Sequence, residues 1–198
     1  MSEALKRVSH TKRERHGGPA HVVVRLRKGL PGLRTPRGLK TLKRCIREAN
    51  TRRGDFSIVE FSLLSNHVHL IVEAYGDGLS RGMQGFNIRL AKALNRAWHR
   101  RGTVFSDRYH AGWLKSINSV RRAIRYVLQN ARKHGIGICA GQPDPYSSGP
   151  WFPYWVEDLE PPPEPRPVAL AQDQWTCCAA RLGISIDELP GPRFVIEC

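Results

Sequence analysis

The chain has 198 residues, enough for one full domain and an appendage, and its 32 Lys and Arg against 17 Asp and Glu leave a formal net charge of +15. That excess points to nucleic acid first and an anionic membrane surface second. A bilayer-spanning segment is excluded, since no apolar run approaches the roughly 20 residues it needs.

Residues 1–19 are polar and basic, with Lys6, Arg7, Lys12, Arg13 and Arg15 before Gly17-Gly18-Pro19. They read as a basic flexible arm without the apolar core of a signal peptide. Residues 21–26, His-Val-Val-Val-Arg-Leu, are a first strand, and a Gly- and Pro-rich loop follows. From residue 36 to 53 the period becomes helical, with Leu39, Leu42, Cys45, Ile46 and Ala49 on one face. Residues 55–64 form a second strand. Ser65-Asn66 is a tight connection into a third, so the two strands read as an antiparallel hairpin.

The third strand, Asn66-His67-Val68-His69-Leu70-Ile71-Val72-Glu73, holds the chemistry. Alternation puts His67 and His69 on one face, with Val68, Leu70 and Val72 on the other. Two imidazoles side by side can share a metal ion, or they can simply line a solvated face. Glu73 shares the histidine face and is a candidate to orient an imidazole or to serve as a base.

A second helix spans about 79–101, with Leu79, Met83, Phe86, Leu90, Leu94 and Ala97 on its core side. Arg89, Lys92, Arg96 and Arg100 form a basic stripe at the same spacing, either phosphate-contacting or solvated. Gly82 and Gly85 either allow close backbone approach or mark a late start. A turn and a fourth strand lie within residues 102–115, which include Arg108 and Tyr109. Asn118 or Ser119 then caps a third helix running from 120 to about 134 and stopping at Gly135. The order β-α-β-β-α-β-α predicts an α+β, ferredoxin-like antiparallel sheet. Residues 139–198 form an irregular extension, rich in aromatics and with a proline run at 161–167. Cys45, Cys139, Cys177, Cys178 and Cys198 are odd in number and lack C-x-x-C spacing, which argues against a disulfide framework or zinc module and suits a reducing cytoplasm.

On a helical wheel the third helix buries Val120, Ala123, Ile124, Val127, Leu128 and Ala131, while Arg122, Tyr126, Gln129, Asn130 and Lys133 share the other side. Two imidazoles on a strand and an amide oxygen from Asn130 make a three-ligand site with open positions. A phosphodiester oxygen can fill one of these. Tyr126, one turn before that amide and near Arg122 and Lys133, is the candidate nucleophile.

Taken together, the His21-Val22-Val23-Val24-Arg25 strand, the Asn66-to-Val72 strand, Val104-Phe105-Ser106-Asp107-Arg108-Tyr109 and Tyr126-Val127-Leu128-Gln129-Asn130 resemble the single-tyrosine HUH transposases, specifically the REP-associated tyrosine transposase branch. The resemblance covers about residues 20–138, the expected catalytic domain. It implies His67, His69 and Asn130 as metal ligands, Tyr126 as nucleophile, Mg²⁺ or Mn²⁺ as cofactor, and single-stranded DNA with hairpin ends as substrate. It also implies a monomer or homodimer with no membrane partner. Arg89, Lys92, Arg96, Arg108, Arg122 and Lys133 are the expected DNA contacts. The chain departs from the family in following Asn130 with Ala131 rather than proline. Imidazole ligands favour Mn²⁺ over Mg²⁺. Two other readings stay open: a non-catalytic binder of structured DNA or RNA, and a metal-dependent phosphodiesterase that uses activated water. Tyr109 is the alternative tyrosine.

Overall fold

The computed structural model describes residues 17–157 and 159–168. Its elements run β1 (Gly18–Arg25), α1 (Pro36–Asn50), β2 (Phe56–Leu63), β3 (His67–Ala74), α2 (Gly78–Ala97), β4 (His110–Trp113), α3 (Ile117–Leu128) and a single turn α4 (Asn130–Lys133). The strands form one sheet in the order β2-β3-β1-β4, and every neighbouring pair is antiparallel. This is the ferredoxin-like α+β arrangement expected from the element order.

Helices cover both faces. On one, α1 and α2 pack over Val22, Val24, Phe56, Ile58, Phe61, Val68, Leu70 and Val72. On the other, Val120, Ala123, Ile124 and Val127 of α3 pack over Val59 and Ile71, joined by Phe152 and Trp155. β3 is therefore buried along its whole length, and no face of it is solvated. A bulge between Ile58 and Glu60 changes which residues of β2 face α3. Strict alternation would send Glu60 into the α1–α2 core with Ile58. The extra residue instead pairs Glu60 with Ile71 and Ser62 with His69.

Local chemistry sets the helix starts. Thr35 caps α1, its hydroxyl accepting from Gly38 N–H at 3.0 Å, and Pro36 occupies the first turn. The cap of α3 is Ser116 rather than Asn118 or Ser119. Ser119 N–H donates to the Ser116 hydroxyl at 3.2 Å, and Ser116 N–H donates back to the Ser119 hydroxyl at 3.0 Å. Gly82 serves close approach: a Cβ there would lie 2.2 Å from the Phe56 ring, whereas at Gly85 it would meet only the Arg89 guanidinium, at 3.1 Å.

The expected boundary at residue 19 moves, because Gly18 and Pro19 are already paired with Ala74 and Glu73. Residues 1–16, and the end of the extension at 169–198 with Cys177, Cys178 and Cys198, lie outside the described residues. Of the extension, residues 146–148 run along the outer edge of β2. Leu63 N–H donates to Tyr146 C=O at 2.8 Å, and Ser148 N–H to Phe61 C=O at 3.0 Å. An open strand edge is thereby covered.

Candidate active site

β3 carries His67 and His69 onto the face beneath α3, where they are 9% and 5% exposed. Their ring centroids are 4.8 Å apart. The strand register brings further groups to the same face, because cross-strand partners point the same way. Arg25 of β1 lies opposite His67, Ser62 of β2 lies opposite His69, and His21 lies opposite Ile71. Above them, Tyr126 of α3 stands edge-on to His69 at 5.4 Å and to His21 at 5.7 Å. The Lys133 ammonium sits 4.9 Å from the Tyr126 ring centroid, and His134 approaches His67 at 5.7 Å. The structure thus brings His67, His69, Tyr126 and Lys133 together, with His21 and His134 around them.

The third helix does not continue to residue 134 as expected. It ends at Leu128, breaks at Gln129 (φ −107°, ψ 11°) and resumes for the single turn of α4. Wheel positions beyond the break no longer follow α3. Gln129 and Asn130, expected on the same side as Tyr126, are buried at 1% and 0% exposure. α4 packs against β2, the neighbour of the histidine strand. Both amide atoms of Asn130 lack a hydrogen-bond partner among the described residues, as do His69 Nε2 and the Ser62 hydroxyl. Such buried polar atoms each cost about 1–3 kcal/mol when left unmatched and collect where a ligand is to be held.

Each strand imidazole is tied through Nδ1. His67 Nδ1–H donates to Asn66 Oδ1 at 2.7 Å, and His69 Nδ1 meets His21 Nε2 at 2.9 Å. Burial, then the charges of His21, His67, His134 and Arg25, pulls His69 down to about 3. Burial, then Arg25 and His134, pulls His67 to about 4. At neutral pH both rings are therefore neutral, the form that ligates metal. Two neutral imidazoles and a buried amide oxygen suit a divalent transition ion with positions left open. Among the described residues no set of three His, Cys, Asp or Glu side chains is arranged to hold one.

Other expected residues fall elsewhere. Glu73 shares the histidine face but lies four residues beyond His69, about 13 Å along the strand. Asn66 and His21 contact the two strand imidazoles. Tyr109 is buried in the α1–α2 core, across the sheet from the histidines. Arg89, Lys92 and Arg96 ride on α2, also across the sheet, and Arg89 pairs with Glu48 at 4.0 Å. Arg122 is exposed one turn before Tyr126, and Arg108 is exposed in the loop before β4. Sequence reasoning missed Arg25, Ser62, His134 and the part His21 plays. His21 and Arg25 sit at the same parity of one strand, but which strand that face meets is decided only by pairing.

A ferredoxin-like sheet with a buried His-x-His pair under a helical tyrosine has the architecture of a small α+β transposase domain. The chain belongs to the IS200-like transposase family, whose profile matches residues 18–130. Among solved structures it is similar to a REP-associated tyrosine transposase bound to a REP hairpin. That likeness has 22% identity and a TM-score of 0.58, and covers 71% of this chain and 82% of that one. A transposase-like protein from Deinococcus radiodurans R1 aligns over 70% of this chain and 100% of its own, at 14% identity and a TM-score of 0.43, too loosely to bear on the fold. No match is found among curated proteins.

Proposed function

We propose that this chain is a metal-dependent DNA strand transferase of the REP-associated tyrosine type, cytoplasmic and acting on single-stranded DNA with hairpin ends. The observation that carries the reading is Tyr126 standing 5.4 Å from His69, with the Lys133 ammonium 4.9 Å from its ring. Membership in the transposase family supports DNA as the substrate. The similar fold solved with a REP hairpin supports a hairpin as the recognised element.

Tyr126 Oη forms a bond to phosphorus, the P–O3′ bond breaks, and the phenol proton ends on the departing 3′ oxygen. The product is a 5′-phosphotyrosine and a free 3′-hydroxyl. A second 3′-hydroxyl then reverses the step and rejoins the DNA. One phosphodiester is exchanged for another, so no nucleotide cofactor is consumed. His67, His69 and Asn130 would hold Mg²⁺ or Mn²⁺, which when bound polarises a phosphate oxygen and offsets developing charge. Lys133, Arg25 and Arg122 contact phosphates near Tyr126, Arg108 contacts DNA from the loop before β4, and Arg89, Lys92 and Arg96 contact the hairpin backbone from the other side.

The test uses 5′- and 3′-labelled single-stranded hairpins from DNA flanking the gene, incubated with Mn²⁺ or Mg²⁺ and run on a denaturing protein gel. Label that stays with the protein, and is lost in Tyr126→Phe and with EDTA, is the expected result. Metal-dependent cutting that survives Tyr126→Phe without protein labelling would assign the attack to water instead.

A further inference from the structure

His21 reaches both the strand imidazole and the tyrosine. Its Nε2 lies 2.9 Å from His69 Nδ1, and its ring lies 5.7 Å from Tyr126. The two imidazole planes differ by 17° and their centroids are 5.1 Å apart. With the nitrogens so much closer than the centroids, the rings meet edge to edge in nearly one plane, as an N–H···N bond requires, and do not stack. Either nitrogen can carry that hydrogen, and the choice has consequences. If His21 donates, His69 carries its own hydrogen on Nε2, a buried atom with no acceptor among the described residues. If His69 donates, Nε2 keeps a lone pair directed into the site. Buried N–H groups without an acceptor are rarer than unmatched acceptors. The neighbouring imidazole follows the same pattern: Asn66 Oδ1 can only accept, so His67 carries hydrogen on Nδ1 and a lone pair on Nε2.

We infer that His21 is a positioning residue: it accepts the His69 Nδ1–H bond, sets the tautomer that frees His69 Nε2 for a metal, and holds the edge of Tyr126. The inference rests on the proposed reading of His69 as a ligand and adds a member to that site. An imidazole in this position is a neutral acceptor where carboxylates and carbonyls more often stand.

Two measurements test it. In metal-free, ¹⁵N-histidine-labelled protein at neutral pH, long-range ¹H–¹⁵N spectra are expected to show His69 protonated on Nδ1, and His21→Ala is expected to lose that tautomer. Mn²⁺ titration followed by electron paramagnetic resonance is expected to show affinity roughly 10- to 100-fold weaker in His21→Ala. In His21→Gln, whose amide oxygen can accept the same hydrogen, most of the affinity is expected to return. Protein labelling by the hairpin in His21→Ala should fall most at limiting Mn²⁺ and recover only in part at saturation, since the Tyr126 edge contact is also lost. Hydrogen on His69 Nε2 in the wild-type chain overturns the inference. So does unchanged Mn²⁺ affinity in His21→Ala when the wild type binds the ion. A wild-type chain that binds no Mn²⁺ overturns the proposed site, and this inference with it.

Discussion

Arg34 and Asp144, 110 positions apart, form a two-point ion pair: Nη2 to Oδ1 at 2.7 Å and Nη1 to Oδ2 at 3.0 Å. Asp144 is fully buried, and Tyr146 N–H donates to the same carboxylate at 2.9 Å. The Arg34 guanidinium also donates to Leu63 C=O and lies over the Tyr146 ring. One pair thus fastens the start of the extension to the loop before α1 and to the edge of β2. Removing one partner leaves the other charge buried, at a cost of about 3–5 kcal/mol. Arg34→Ala and Asp144→Ala should each lower the urea midpoint by that equivalent, and the double variant should cost less than the sum of the two. Strict additivity in the double-mutant cycle would show that the pair does not couple.

Glu60 sits fully buried under the extension, bonded to the Ser148 hydroxyl and to Arg166 at 2.9 Å. Burial outweighs both partners and raises its carboxyl from 4.5 to about 7. Between these values the folded chain holds a proton that the unfolded chain has released. The stability this group contributes is therefore full below about pH 4.5 and is lost as pH rises to 7. The loss is of the order of 3 kcal/mol at most. Urea unfolding across this window should show wild type losing stability relative to Glu60→Gln as pH rises. A pH-independent difference would mean that Glu60 is ionised throughout.

The two glycines of α2 should respond oppositely to alanine. At Gly82 a Cβ falls 2.2 Å from the Phe56 ring, itself fixed in the core, so Gly82→Ala should destabilise by about 1–3 kcal/mol. At Gly85 the Cβ meets the movable end of Arg89 at 3.1 Å. There the helix gain of about 0.5–1 kcal/mol prevails and Gly85→Ala should stabilise. Thermal melts of the two variants decide it. A rise in Tm at Gly82→Ala would refute the close-approach account.

Cations on the two faces of the sheet should separate binding from chemistry. Lys92→Ala with Arg96→Ala, both on α2, should weaken hairpin binding and lower the slope of log affinity against log salt by up to about 2. Protein labelling at saturating DNA should be unchanged. Lys133→Ala, beside Tyr126, should instead slow labelling at saturation. Filter binding from low to moderate salt, paired with single-turnover labelling, distinguishes the two. A labelling defect confined to the α2 double variant would reverse the assignment of faces.

Much of the fold was legible because period and punctuation are local. Alternation in residues 67–73 and the three-to-four spacing of Leu79, Met83, Phe86 and Leu90 name their elements without help from elsewhere. His67, His69 and Tyr126 were legible as candidates for the same reason. Asn130 was read on the tyrosine's side of one continuous helix, whereas in the fold it is buried and lies beyond a break at Gln129. That break has no Pro or Gly signal. Glu73 was read on parity, which names its face of the strand but not its distance from His69.

By itself the sequence determined what each segment is and which residue types it carries: a histidine strand, a tyrosine helix, a basic stripe and an irregular aromatic extension. Tertiary structure alone decided which of these meet. Register sets Arg25 beside His67 and brings His21 to His69, and a one-residue bulge at Val59 turns Glu60 and Ser62 toward α3. Packing of α2 and α3 on opposite faces of the sheet puts the α2 stripe on the far side from Tyr126. The physical reason is that side-chain period is a property of neighbouring residues. Register and layer are fixed by burying the apolar faces of segments far apart in the chain, and no short stretch contains that information.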